Sequence, residues 1–159
     1  MRNKISAGLA IYKLRGGGLE VLLVHPGGPF FKKKEAGHWS IPKGEIDGEE
    51  DLLSAAIRET KEETNIDMSG EFIGLGEVTQ KGGKVVHAWG IECPADFEFE
   101  FHSNTFQMEW PPASKRMESF PEVDKAEFLE YDEAMRRIKE AQRDFLIRLK
   151  EYLAKRGKL

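Results

Sequence analysis

Apolar and polar positions alternate along this chain in two periods, and the switch between them marks out its elements. Ile5 to Leu14 and Glu20 to Val24 are short, β-prone and almost continuously apolar, with Gly16, Gly17 and Gly18 between them. This predicts two strands joined by a turn. His25 to Lys34 (HPGGPFFKKK) is broken by prolines and glycines and reads as a loop whose aromatic pair packs over a cleft. From Glu49 to Thr64 the period becomes helical, with Leu53, Ala56, Ile57, Thr60 and Thr64 on the core face and Asp47 as the cap.

Glu71 to Gln80 and Lys84 to Glu92 flank a Lys-Gly-Gly turn and predict a strand hairpin. Residues 94–121 carry Pro94, Pro111, Pro112 and Pro121 and show no sustained period, as expected for a long functional loop. Short strands are expected at Asp96 to Phe101 and Glu122 to Glu130. From Tyr131 onward, Ala134, Ile138, Ala141, Phe145, Leu149 and Leu153 form an apolar stripe that predicts one C-terminal helix. Strands and helices in this order predict an α/β or α+β domain.

With 159 residues the chain fits a single domain, 1–159, able to bury a core without staples. Cys93 has no partner for an internal bridge, no signal-peptide pattern opens the chain, and no apolar run approaches membrane-spanning length. A cytoplasmic location away from membranes is the expectation. The formal charge of −4 argues against a broad basic nucleic-acid surface and leaves room for a small anionic ligand held by local groups.

The sharpest chemical signal lies inside the first predicted helix. Glu59, Glu62 and Glu63 project from one side of it, because residues three and four apart are neighbours on a helix surface. Crowded carboxylates repel one another unless a cation neutralises them. Mg²⁺ or Mn²⁺ suits them, since hard ions take oxygen ligands and bring substrate phosphate along. An acidic solvated helix face is the ordinary alternative for such a cluster taken alone.

The wider stretch decides between these. Residues 44–66, with Gly44, Glu50, Arg58, Glu59, Glu62 and Glu63, resemble the box of the Nudix hydrolase family, G-x(5)-E-x(7)-R-E-U-x-E-E-x-G-U, where U is bulky and aliphatic. Thr60 stands where an aliphatic residue is usual and Asn65 where glycine is usual. Asn tolerates the left-handed backbone that ends helices, and Thr60 is expected to bond back to a carbonyl one turn earlier. The resemblance implies an α+β fold, an α/β/α sandwich with a mixed sheet flanked by helices. The lead-in Trp39-Ser-Ile-Pro-Lys-Gly44 is similar to that of diadenosine tetraphosphate hydrolases and some decapping enzymes. The segment SNTFQMEWPP, followed by FPEVDKAEF, is similar to a group of predicted nucleotide pyrophosphohydrolases.

The resemblance also implies roles. Glu59 and Glu63 are the expected metal ligands, with Glu62 completing the shell or acting through water, and the Lys43 backbone carbonyl adding a ligand. Arg58 is expected to orient Glu59. Glu50 is expected to hold the loop, to reach a second metal through water, or to favour the helix dipole. The Lys43 ammonium is a candidate for substrate phosphate, and Trp39 for stacking or shaping the cleft floor, with core packing as its alternative. Glu122 is the candidate for activating water, with Glu109 and Glu118 as rivals. His25, His38 and His87 lack a partner pattern for zinc or a nucleophilic triad and read as structural or peripheral.

The leading expectation is Mg²⁺-dependent hydrolysis of a phosphoanhydride bond in a nucleoside or dinucleoside polyphosphate. Nucleoside triphosphates, nucleotide sugars and diphosphoinositol polyphosphates are alternative substrates. A non-catalytic nucleotide sensor is the alternative from another class.

Overall fold

A computed structural model describes residues 4–159. The first strand, β1 (Ile5–Arg15), is the centre of the architecture. It pairs antiparallel with β2 (Gly18–Pro26) and with the short β3 (Lys43–Glu45), and parallel with β5 (Val85–Glu92). With β4 (Ile73–Thr79) and β8 (Val123–Glu130) these form a six-stranded mixed sheet in the order β4-β5-β1-β2-β8, β3 lying off this path against β1. A strand with neighbours on both edges and cover on both faces should read as continuously apolar, as β1 does.

Its side chains divide between two cores. Ala7, Leu9 and Ile11 face one cluster with Ala55, Ala56, Ile66 and Cys93, whereas Ala10 and Tyr12 face the other with Phe145, Leu146, Leu149 and Leu153. The first cluster is covered by α1 (Leu52–Thr64) and the second by α2 (Tyr131–Arg137) and α3 (Arg143–Lys155). The result is the expected mixed sheet flanked by helices. Among the described residues no helix is long and apolar enough to cross a membrane.

Several boundaries differ from expectation for local reasons. Helix α1 starts at Leu52, not near Glu49, because Asp51 is the cap and its carboxylate accepts from the N–H groups of Leu53 (3.2 Å) and Ser54 (3.3 Å). Asp47 instead opens a tight turn, its carbonyl accepting from the Glu50 N–H at 3.2 Å. At the other end Asn65 adopts φ 71° and closes the helix, as its chemistry suggested. The expectation for Thr60 fails: its buried hydroxyl has no partner among the described residues, while Thr64 Oγ1 donates to the Thr60 carbonyl at 2.7 Å.

The C-terminal stripe is interrupted where one helix was expected. Around Ile138 the backbone turns to the segment before β3: Trp39 N–H donates to the Arg137 carbonyl (3.0 Å) and Lys139 N–H to the Trp39 carbonyl (2.8 Å). A 3₁₀ turn at Glu140–Gln142 then leads into α3. No strand forms at 96–101. The region instead contains a separate two-stranded hairpin, β6 (Thr105–Glu109) with β7 (Met117–Pro121).

Candidate active site

Helix α1 presents Glu59, Glu62 and Glu63 to a cavity of about 410 Å³ that is also lined by Lys43, Gly44, Glu45, Lys84, Asn104 and Glu122. Each wall has an identifiable anchor. Strand β3 is held against β1, where Gly8 permits the approach: a Cβ there would stand 2.4 Å from the Pro42 carbonyl oxygen. The base of the β6–β7 hairpin docks on the end of α1, Asn104 N–H donating to the Glu62 carbonyl (2.9 Å). Glu122 N–H in turn donates to the Asn104 carbonyl (2.8 Å), which fixes Glu122 at the rim.

The two box residues Gly44 and Glu59 fit only as a pair. A Cβ on Gly44 would lie 1.9 Å from Glu59 Oε2, well inside contact distance, so glycine is required for the carboxylate to lie over the strand. Arg58 organises the other carboxylates. Its guanidinium donates twice to Glu50, Nε to Oε2 and Nη2 to Oε1, both at 2.8 Å, while Nη1 donates to Glu59 Oε1 at 2.8 Å and to Glu62 Oε1 at 3.2 Å. The bidentate bond goes to Glu50, so Glu50 is the residue that sets the Arg58 fork. Glu50 Oε1 also accepts from the Asp47 N–H (3.2 Å), tying the fork to the turn ahead of the helix.

Electrostatics follow from this crowding. Burial pushes the Glu63 carboxyl well above the usual carboxylate range; the Lys43 N–H at 3.2 Å and the Lys43 ammonium pull it down, and Glu59 and Glu122 push it further up. Burial also raises Glu59, against the hydrogen bond and charge of Arg58. The Lys43 ammonium is pushed down by burial and then by Lys84 and Lys139, with Glu63 and Glu45 opposing. Lys84 and Lys139 therefore act on the same space as Lys43, and neither stood out in the sequence. Lys84 reads as an ordinary first residue of a strand, and Lys139 falls inside an apparently continuous helix.

The donor set suits a hard divalent cation. Glu45, Glu59, Glu62, Glu63 and Glu122 offer carboxylate oxygens, and among the described residues no histidine or cysteine lines the cavity. Among the described residues no three acidic, histidine or cysteine groups are already closed into a coordination shell. Arg58 Nη1 bridges Glu59 Oε1 and Glu62 Oε1, and the Lys43 N–H donates to Glu63 Oε2, so each box carboxylate is held by a donor at the cavity.

The remaining candidates separate cleanly. Of the three candidate loop acids only Glu122 reaches this cavity. Glu109 Oε1 accepts from the Ala113 N–H (2.7 Å) at the hairpin tip, and Glu118 stands opposite Met108 within the hairpin. Trp39 does not reach it: the indole is 1% exposed in the α2–α3 core and donates to Glu35 Oε2 at 2.7 Å, which replaces stacking or floor-shaping with core packing. His25 is fully buried between Asp124 Oδ1 (Nδ1, 2.7 Å) and the Lys34 carbonyl (Nε2, 2.6 Å), a structural role.

A second cavity, about 570 Å³, is lined by Gly37, Gln80, Lys81, Lys139, Glu140 and Ala141. Burial pushes the Lys139 ammonium on its wall down, with Lys84 adding to the shift and Glu63 opposing it. Gln142 braces this side, accepting from the Ile41 N–H (3.0 Å) and donating to Gln80 Oε1 (2.7 Å) and Ser40 Oγ (3.1 Å).

The chain is similar to known proteins in sequence and in fold. The bis(5′-nucleosyl)-tetraphosphatase (asymmetrical) of Caenorhabditis elegans is 48% identical over 61 residues, 38% of this chain and 40% of that protein. Its rat counterpart is 38% identical over 69 residues, 40% of this chain and 46% of that protein. The chain thus spans less than half the length of these curated relatives. A structure titled as a binary complex of the C. elegans Ap4A hydrolase superposes with a TM-score of 0.66 and 26% identity, covering 96% of this chain and 98% of that one. The model of the NUDIX domain family matches residues 3–149, and the chain belongs to that family.

Proposed function

We propose that this protein hydrolyses a phosphoanhydride bond in a dinucleoside polyphosphate of the diadenosine tetraphosphate type, with Mg²⁺ or Mn²⁺ as cofactor. The observation that carries the proposal is the convergence of Glu59, Glu62, Glu63 and Glu122 with Lys43 and Lys84 on one cavity. Glu59, Glu62, Glu63 and the Lys43 carbonyl would hold the ion. A divalent cation bound there supplies charge neutralisation for the phosphates and a lowered pKa for a coordinated water.

The chain's own groups do the rest. Lys43 and Lys84 place positive charge on the phosphate being transferred. Glu122, held at the rim by its backbone bond to Asn104, accepts the proton of the attacking water. Arg58 keeps Glu59 and Glu62 turned toward the cavity. The 570 Å³ cavity lined by Lys139 has the size of a nucleoside pocket and offers Gln80 and Glu140 for base or ribose contacts. A site for a nucleoside beside a site for phosphates favours a nucleotide over an inositol polyphosphate. The similarity to the nematode and rat tetraphosphatases points the same way.

The test is incubation with Mg²⁺ and a panel of dinucleoside polyphosphates, nucleoside triphosphates and nucleotide sugars in ¹⁸O-labelled water. Cleavage of a dinucleoside polyphosphate, with label on one product phosphate, is the expected result. Binding of nucleotides without any cleavage overturns it in favour of a sensor.

A further inference from the structure

The loop after β2 and the tip of the β6–β7 hairpin meet away from the acidic cavity, and both bring aromatic and basic side chains to the surface. Phe30 and Trp110 touch edge to face, with centroids 5.4 Å apart and planes at 86°. Phe31 lies beside His38 at 6.2 Å, with the Lys34 ammonium 6.0 Å from the centroid of its ring. Phe30 is 55% exposed, Phe31 37% and Met117 62%, a concentration of open apolar surface in a small area.

The cations interleave with these rings. Lys32, Lys33 and Lys34 follow Phe31 directly, and Lys115 and Arg116 precede Met117. Arg116 is fixed beside Trp110, whose N–H donates to the Arg116 carbonyl at 3.0 Å. All five are exposed, and among the described residues none of them forms an ion pair. Two nearby acids are already engaged, Glu109 by the Ala113 N–H and Glu35 by Trp39, Lys125 and Arg137, which leaves Glu118 as the one acid on the hairpin set against these five cations. In a chain of formal charge −4 this is a local reversal of sign.

We propose that this rim, Phe30, Phe31 and Trp110 with Lys32, Lys33, Lys115 and Arg116, is a docking surface for single-stranded nucleic acid. Bases offer π faces to open rings whatever their sequence, and phosphates pair with cations spaced between those rings. A lipid surface would call for a different layout, with apolar and charged residues on separate faces of one element. Here a pair of rings runs directly into three cations on one loop, and the facing hairpin brings Trp110 beside Lys115 and Arg116, so stacking and phosphate-pairing groups share one small rim. The surface is small, so the low overall basicity is no obstacle to a short strand.

The hairpin also sets where such a strand would run. Its base residues Asn104 and Glu122 line the acidic cavity, and its tip lies roughly 15–17 Å away at about 3.3 Å per strand residue. A strand that runs from the rim along the hairpin reaches the carboxylates within a few nucleotides. Docking itself does not depend on hydrolysis at that site, and the two can fail separately.

The test is fluorescence anisotropy of a labelled short single-stranded RNA without a 5′ phosphate, in low salt and EDTA, with phosphatidylserine vesicles measured in parallel. The expected result is RNA binding that Phe30→Ala with Phe31→Ala weakens about tenfold or more. Lys32→Gln with Lys33→Gln should make the salt slope shallower by about 1.4, at roughly 0.7 per cation for single strands. Those lysines are exposed and outside both cores, so this variant carries the test even where the aromatic pair disturbs the loop. Glu63→Gln protein should bind RNA as the parent does. No RNA binding, binding indifferent to these substitutions, or binding to vesicles alone overturns the proposal.

Discussion

Arg58 holds Glu50 with two hydrogen bonds of 2.8 Å and reaches Glu59 with a third of the same length. The pair spans eight residues and joins the turn before α1 to its cavity-facing side. Glu50 has its pKa lowered by the Arg58 hydrogen bond, and Arg58 has its own raised by Glu50 first and Glu59 next. Arg58→Lys removes the planar fork while keeping the charge, and should weaken Mn²⁺ binding and lower turnover about 10–100-fold. Glu50→Gln should act in the same direction and less strongly. The double variant, followed by Mn²⁺ titration and initial rates, should fall short of the summed effects, because both substitutions loosen one fork.

Gly44→Ala should be a site-specific lesion. The added methyl meets the Glu59 carboxylate, which must swing away and take a ligand with it. A displacement on the order of 1 Å is enough for about a hundredfold loss of turnover. Rates should fall by that much while the thermal midpoint moves little, which rate and melting measurements on the same preparation can check.

Gln142 has no exposed surface, and its side chain satisfies the Ile41 N–H, Ser40 and Gln80 together. Gln142→Leu keeps roughly the volume and leaves the buried Ile41 N–H without its acceptor, while Ser40 Oγ still donates to the Ile41 carbonyl and Gln80 is half-buried. Denaturant unfolding should show a loss of about 1–3 kcal/mol for each group left unpaired and buried. A variant as stable as the parent would mean that solvent reaches this knot.

Burial pushes the Cys93 thiol up to about 11, with Glu92 adding to the shift and Lys13 opposing it. A group whose folded pKa is raised stabilises the fold fully below its unfolded value, near 9, and loses that contribution as pH rises through about 11. Stability should therefore decline over this alkaline window, and less steeply in Cys93→Ala. At pH 8 the native thiol should react with a disulfide reagent far more slowly than the unfolded one.

The box was legible because its chemistry is local. Glu59, Glu62 and Glu63 share a helix, so spacing alone places them together, and Asn65 could be read as a left-handed cap from its residue type. Glu122 was legible as an acid in a loop, but only the docking of Asn104 on α1 separates it from Glu109 and Glu118. Lys84 and Lys139 were invisible because they join the site through tertiary packing of a turn and a broken helix. The break at Ile138 itself comes from backbone bonds to Trp39, a contact between residues about a hundred positions apart that no periodicity encodes. The hairpin of residues 105–121 was hidden for a similar reason, since its prolines and exposed edges disguise a two-residue alternation.

The most direct measurement is the rate of Mg²⁺-dependent cleavage of diadenosine tetraphosphate by Glu63→Gln protein beside the parent, with circular dichroism to show that both are folded. Glu63 sits between Lys43, Glu59 and Glu122, so replacing its carboxylate removes the proposed metal ligand at the centre of the cavity. The parent should cleave and the variant should be slower by orders of magnitude with its fold intact. Cleavage by the folded variant at near-parent rate would contradict the assignment of this pocket as the reaction site.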